Sequence, residues 1–282
     1  MLLPTCQRLS AAVSIALLCG VNASVAAEPQ AKLYARFEHQ GKIRHGVLEG
    51  DKLRCIEGDL LGARQPTAET IPLAEAKLLA PVVPPKVLAV GLNYRSHLGE
   101  RPVPQAPEIF FKLPTSVVGP LDPIVLPRDA TDVHYEAELV IVIGKRGRDV
   151  PVEQAGQYVL GVTCGNDVSE RKWQKGDLQW WRAKGSDTFG PCGPYLAVGV
   201  NYDDLMLTLN HNGEIKQQES TSDLIHPVAS IVSWISRFVT LEPGDLVFTG
   251  TPGKTQAMAE GDVVEVGLEG VGVLRNPVVR ER

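Results

Sequence analysis

Apolar residues in this chain come in short runs, and glycine or proline closes most of them before a long helix could form. Residues 87–90, 124–126, 139–143, 159–164, 195–200, 206–210, 246–249 and 263–268 are such runs. Short β-branched segments between turn-forming residues read as strands. One segment keeps helical spacing: residues 227–239, with Val228, Ile231, Val232, Ile235, Phe238 and Val239 on one face and Ser222 or Asp223 as candidate caps. A second short helix is expected over 152–158, with Pro151 at its start. The chain is therefore expected to be mainly β with a few helices.

Residues 32–56 alternate in runs separated by Gln40-Gly41 and Glu49-Gly50-Asp51, which suit hairpin turns. Pro81, Pro84 and Pro85 then break the pattern. The division expected is a small N-terminal β-rich domain over 28–82 and a larger domain over 83–282. Residues 1–27 have the grammar of a secretory signal: one charge at Arg8, an apolar run over 11–21, and small residues before Glu28. With that signal the protein is exported or periplasmic; if the true start lies further on, it is cytoplasmic. No other apolar stretch is long enough to span a bilayer.

The net charge is −5, and one unit more negative once Arg8 is removed, which argues against nucleic acid as a partner. An anionic substrate would have to be held by local cations or a metal. Cys55, Cys164 and Cys192 are too widely spaced for a disulfide framework or zinc cluster and read as small buried side chains.

The segment His134-Tyr135-Glu136-Ala137-Glu138 runs straight into the apolar residues 139–143. Positions i and i+2 of a strand share a face, so Glu136 and Glu138 would project side by side, next to His134. Two carboxylates at the edge of a core repel and lose hydration, and a hard cation such as Mg²⁺, Mn²⁺ or Ca²⁺ relieves both costs. Asp167 ends the run 159–164, and Arg171 and Gln174 would share its face if a helical turn follows. Lys184, beyond Trp180 and Trp181, could offset developing negative charge. His97 and Glu100, at i and i+3, could form a water-activating pair. Each feature also has an ordinary reading: a solvated strand face, an Asn-Asp turn, a surface lysine, exposed neighbours. The stretch from Gly250 to Thr255 imitates a phosphate loop, but only two residues separate its glycines where four are needed. Thr251 remains a possible substrate contact.

Taken in order, eight segments resemble the fumarylacetoacetate hydrolase family over about residues 87–278. They are Gly91-Leu92-Asn93-Tyr94, residues 111–116, Tyr135-Glu136-Ala137-Glu138, residues 166–169, residues 184–191, Thr221-Ser222-Asp223, residues 249–252 and residues 274–277. The resemblance implies a mixed β-roll catalytic domain, usually homodimeric, behind the small N-terminal domain. It implies that Glu136, Glu138 and Asp167 hold Mg²⁺ or Mn²⁺. Arg171, Gln174, Lys184 and Thr251 would surround the pyruvoyl end of a small keto acid, with Tyr94 as a further contact. His97 and Glu100 match the lid pair that activates water. The expected reaction is cleavage of a C–C bond in an acylpyruvate-like acid through an enolate held at the metal. An isomerase, decarboxylase or lyase using the same site is the alternative, and a non-catalytic metal or organic-acid binder the alternative of another class. The stretch 252–261 is shorter than in many relatives, so a more open pocket wall is expected there.

Overall fold

The structure is a computed structural model and describes residue 1 and residues 31–282. The expected leader lies outside the described residues. Among them the chain is mainly β with a few short helices. A 12-stranded sheet runs in the order Arg64–Pro72, Lys52–Gly58, Lys42–Glu49, Lys32–His39, Gly190–Val198, Val159–Asn166, Ala137–Ile143, Leu246–Phe248, Val87–Gly91, Glu108–Lys112. The short strands Lys77–Leu78 and Val117–Val118 flank it. The N-terminal hairpins extend this sheet, because Lys32–Tyr34 pairs antiparallel with Leu196–Val198. A 5-stranded sheet follows the order Glu214–Ser220, Met206–His211, Val263–Leu268, Gly272–Arg280, Ile124–Leu126.

Residues 139–143 are apolar without a break because both faces of their strand are covered. Leu139, Ile141 and Ile143 face the core shared with the second sheet and the helix Val228–Ser236. Val140 and Val142 face the other way, onto Val87, Ala89, Leu246 and Phe248. Each such side chain contributes about 1.5–3 kcal/mol on leaving water. Glu136 and Glu138 have the parity of Val140, so they continue the Phe248 face just where the apolar cover stops.

Pro227, not Ser222 or Asp223, caps the long helix, which ends at Ser236 instead of continuing to Val239. The residue before a proline is pushed toward extended backbone, so no turn can propagate from Asp223 through His226. Thr221–Asp223 instead forms its own tight turn, closed by the Ser220 hydroxyl accepting from Ser222 N–H. Val152–Tyr158 forms as a run of 3₁₀ turns beginning after Pro151. Cys55, Cys164 and Cys192 are free and buried. No described helix is long and apolar enough to cross a membrane.

Candidate active site

Antiparallel pairing of Ala137 with Asn166 and Glu138 with Gly165 sets the two acidic segments side by side. Asp167 N–H donates to the Glu136 carbonyl at 2.8 Å, and Glu136 N–H to Asn166 Oδ1 at 2.8 Å. One carboxylate oxygen each from Glu136, Glu138 and Asp167 then lies within 4.8 Å of the others, and all three residues are buried. Gly165 permits this approach: a Cβ there would sit 2.3 Å from Val140 Cγ2 and 2.6 Å from the Phe248 ring. Gly250, at φ +105°, turns its N–H onto Glu138 Oε2 at 2.7 Å.

The three acids are compensated unequally. Lys184 Nζ reaches Glu136 Oε2 at 2.7 Å and Asp167 Oδ2 at 2.5 Å. Lys112 Nζ meets Asp167 Oδ1 at 2.6 Å and the Lys184 carbonyl. Arg171 donates to Glu136 Oε1 at 2.5 Å. Burial alone would raise the Glu136 carboxyl, but Lys184 and then Arg171 hold it well below the usual range. Burial, then the carboxylates of Asp167 and Glu136, push Glu138 well above it. Among the described residues Glu138 accepts one backbone hydrogen bond and forms no ion pair. Burial opposes the charge on Lys184, yet Asp167 and Glu136 outweigh it and raise its pKa. Three carboxylates with one left uncompensated fit a hard divalent cation such as Mg²⁺, Mn²⁺ or Ca²⁺.

The triad lies in a cavity of about 970 Å³. His97, Glu100, Arg171, Gln174, Lys184 and Thr251 line it as well. Tyr94 does not; its ring is fully buried, its hydroxyl has no partner among the described residues, and burial and the nearby Glu138 raise its pKa. His97 and Glu100 share the cavity without a hydrogen bond between them. The helix Arg95–Leu98 stops at Gly99, whose φ of +62° turns the chain away before Glu100. His97 Nδ1 lies 2.7 Å from the Gly253 carbonyl, and Nε2 lies 3.9 Å from Glu136 Oε1.

Arg171 and Gln174 do share a helix, Arg171–Gly176, and Arg171 donates to Gln174 Oε1 at 2.9 Å. Asp167 precedes that helix, because Ser169–Glu170 is extended and pairs with Val133–His134. Thr251 accepts from Gln217 Nε2 at 2.9 Å. Sequence reasoning gave no role to Lys112, Gln217, Phe110 or Thr255. For Lys112 a signal existed: a lysine inside an apolar strand, fully buried beneath Asp167. The other three are joined to the site only by the fold.

The pattern described as Fumarylacetoacetate (FAA) hydrolase C-terminal matches residues 86–279. The chain belongs to the fumarylacetoacetate hydrolase family. An Rv2993c-like N-terminal pattern matches residues 33–81. Within the fumarylacetoacetate hydrolase family, Protein Rv2993c of Mycobacterium tuberculosis is 48% identical over 221 residues, 76% of this chain and 83% of that protein. The mitochondrial oxaloacetate tautomerase FAHD2A of Bos taurus is 40% identical over 224 residues, 74% of this chain and 71% of its own. The crystal structure of 2-hydroxyhepta-2,4-diene-1,7-dioate isomerase from Mycobacterium marinum superposes with a TM-score of 0.84 at 43% identity, covering 89% of this chain and 99% of that one. Maleylpyruvate hydrolase from Sphingobium sp. SYK-6, in complex with manganese(II) and pyruvate, gives 0.75 at 30% identity, covering 89% and 100%. The chain is thus an enzyme of the fumarylacetoacetate hydrolase family, whose relatives include isomerase, tautomerase and hydrolase.

Proposed function

We propose that this enzyme is a divalent-metal-dependent tautomerase or isomerase that moves a proton along a small 2-oxo acid. The observation that carries this reading is His97. A backbone carbonyl only accepts hydrogen bonds, so Nδ1 facing Gly253 O carries the hydrogen of the neutral ring. Nε2 keeps its lone pair, in the cavity and beside Glu136. Such a nitrogen removes a proton from the carbon next to the 2-oxo group and returns it to carbon or oxygen, without a carboxylate behind it. Glu136, Glu138 and Asp167 would hold the divalent cation, which would supply Lewis acidity to the 2-oxo acid. Arg171 and Gln174 hold the carboxylate from one helix face, and Lys184 offsets the negative charge that enolisation creates. Phe110 and Trp180, stacked edge to face with centroids 5.4 Å apart, screen one wall from water. The isomerase and tautomerase among the relatives support the same reading.

Hydrolysis of an acylpyruvate is the second reading, favoured by the presence of Glu100 in the same cavity. A lid movement that seats Glu100 behind His97 would make a water-activating pair. Following oxaloacetate and a set of acylpyruvates by NMR in D₂O, with and without EDTA, separates the two. Metal-dependent enol–keto exchange that survives Glu100→Gln supports the tautomerase. Cleavage to two acids, lost in Glu100→Gln, overturns it in favour of the hydrolase.

A further inference from the structure

His134 stands two residues before Glu136 yet lines no part of the cavity. Its ring is held at both ends: Nε2 lies 2.9 Å from Asp132 Oδ1, and Nδ1 lies 2.9 Å from Thr255 Oγ1. The same Thr255 oxygen accepts from Arg171 at 2.8 Å, and that Arg171 nitrogen donates to Glu136 Oε1. Donor counting fixes the direction of the chain. An ionised carboxylate only accepts, so in the neutral ring Nε2–H donates to Asp132 and Nδ1 is left as an acceptor. The Thr255 hydroxyl then gives its hydrogen to His134 Nδ1 and turns its lone pairs to Arg171.

The supporting backbone is fixed on every side. The Glu170 carboxylate accepts from Thr131 N–H, Asp132 N–H and Trp173 N–H. Arg171 N–H donates to the Asp132 carbonyl at 2.9 Å, and Met258 N–H to the Val133 carbonyl at 2.8 Å. His134 also bridges to Ala257. Three segments meet here: 131–134, the start of the helix Arg171–Gly176, and the loop 253–258.

We propose that His134, held by Asp132, is a positioning residue that aims the Arg171 guanidinium at the substrate carboxylate through the Thr255 hydroxyl. The inference rests on the functional reading above, in which Arg171 receives that carboxylate. Without the hydroxyl the guanidinium loses one of its anchors and is left free to pivot about its contact with Glu136, so an anion must reorder it on binding.

The test is calorimetric binding of oxalate, a planar two-carboxylate probe, to Mn²⁺-saturated protein, with Mn²⁺ affinity measured separately. Thr255→Val keeps the side-chain shape and is expected to weaken oxalate about tenfold, the scale of one hydrogen bond to a charged group. His134→Ala is expected to do the same, and the double variant to be no weaker than either single one. Thr255→Ser restores binding to within about twofold, and Mn²⁺ affinity is unchanged throughout. Wild-type binding of oxalate in Thr255→Val, or losses that add in the double variant, overturns the chain of positioning. Failure of the wild type itself to bind oxalate removes the functional reading, and this inference with it.

Discussion

The Lys184 ammonium lies 2.7 Å from Glu136 Oε2, with both side chains buried. Removing one partner of a buried pair leaves the other as an uncompensated charge, which costs about 3–5 kcal/mol. Here the cost is larger in the metal-free protein, because Asp167 loses the same ammonium. Lys184→Met is therefore expected to lower the metal-free melting temperature sharply. Its upward shift on adding Mg²⁺ should exceed that of the wild type, since a cation then does the work of the lost ammonium. Differential scanning fluorimetry with and without EDTA reads both, and activity is expected to be lost even in the metal-loaded variant.

The two glutamates give opposite pH limbs. Glu136 is depressed, so its stability is present above the ordinary value of 4.5 and lost as pH falls through its folded value. Glu138 is raised, so its stability is present below 4.5 and lost as pH rises through its folded value. Metal-free protein is thus expected to lose stability as pH rises above the ordinary value of 4.5, because the unfolded chain gives up this proton there while buried Glu138 keeps it. Glu138→Gln should flatten that limb, and saturating Mg²⁺ should remove it in the wild type. Melting temperatures across pH in EDTA check the sign.

Glu170 is fully buried and accepts three backbone N–H groups, at 3.1 Å from Thr131, 2.9 Å from Asp132 and 2.6 Å from Trp173. It caps the helix that carries Arg171 and Gln174. Glu170→Ala leaves buried donors unsatisfied and is expected to cost about 2–4 kcal/mol in urea unfolding. Because Arg171 is the first residue of that helix, KM should also rise in the folded fraction.

His97→Ala is expected to reduce turnover by a factor of about 100 or more, the scale of general acid–base catalysis, while Mn²⁺ affinity holds. Parallel kinetics and titration check it. A variant that loses metal together with turnover would place His97 among the ligands instead.

The convergence of the three carboxylates was legible because strand geometry is local. Glu136 and Glu138 share a parity, and the apolar run after them says that their strand is buried. Asp167 ends another such run, and antiparallel pairing makes the two ends neighbours. The reach of Gln217 and Thr255 was not legible, since each arrives from a segment far off in sequence through sheet order and loop path. Helical spacing suggested that His97 and Glu100 would pair, but it assumes a turn that continues. Gly99 ends that turn at positive φ, so the periodicity stops one residue too soon. The cap on Val228–Ser236 was misplaced for a related reason: Pro227 breaks the backbone between Asp223 and the helix.

Isothermal titration of Mn²⁺ into chelator-stripped protein tests the metal centre most directly. The expected result is one ion bound per chain by the wild type, with binding abolished in Glu136→Gln, Glu138→Gln and Asp167→Asn alike. Absence of binding in the wild type, or full affinity retained by any of the three variants, would contradict it.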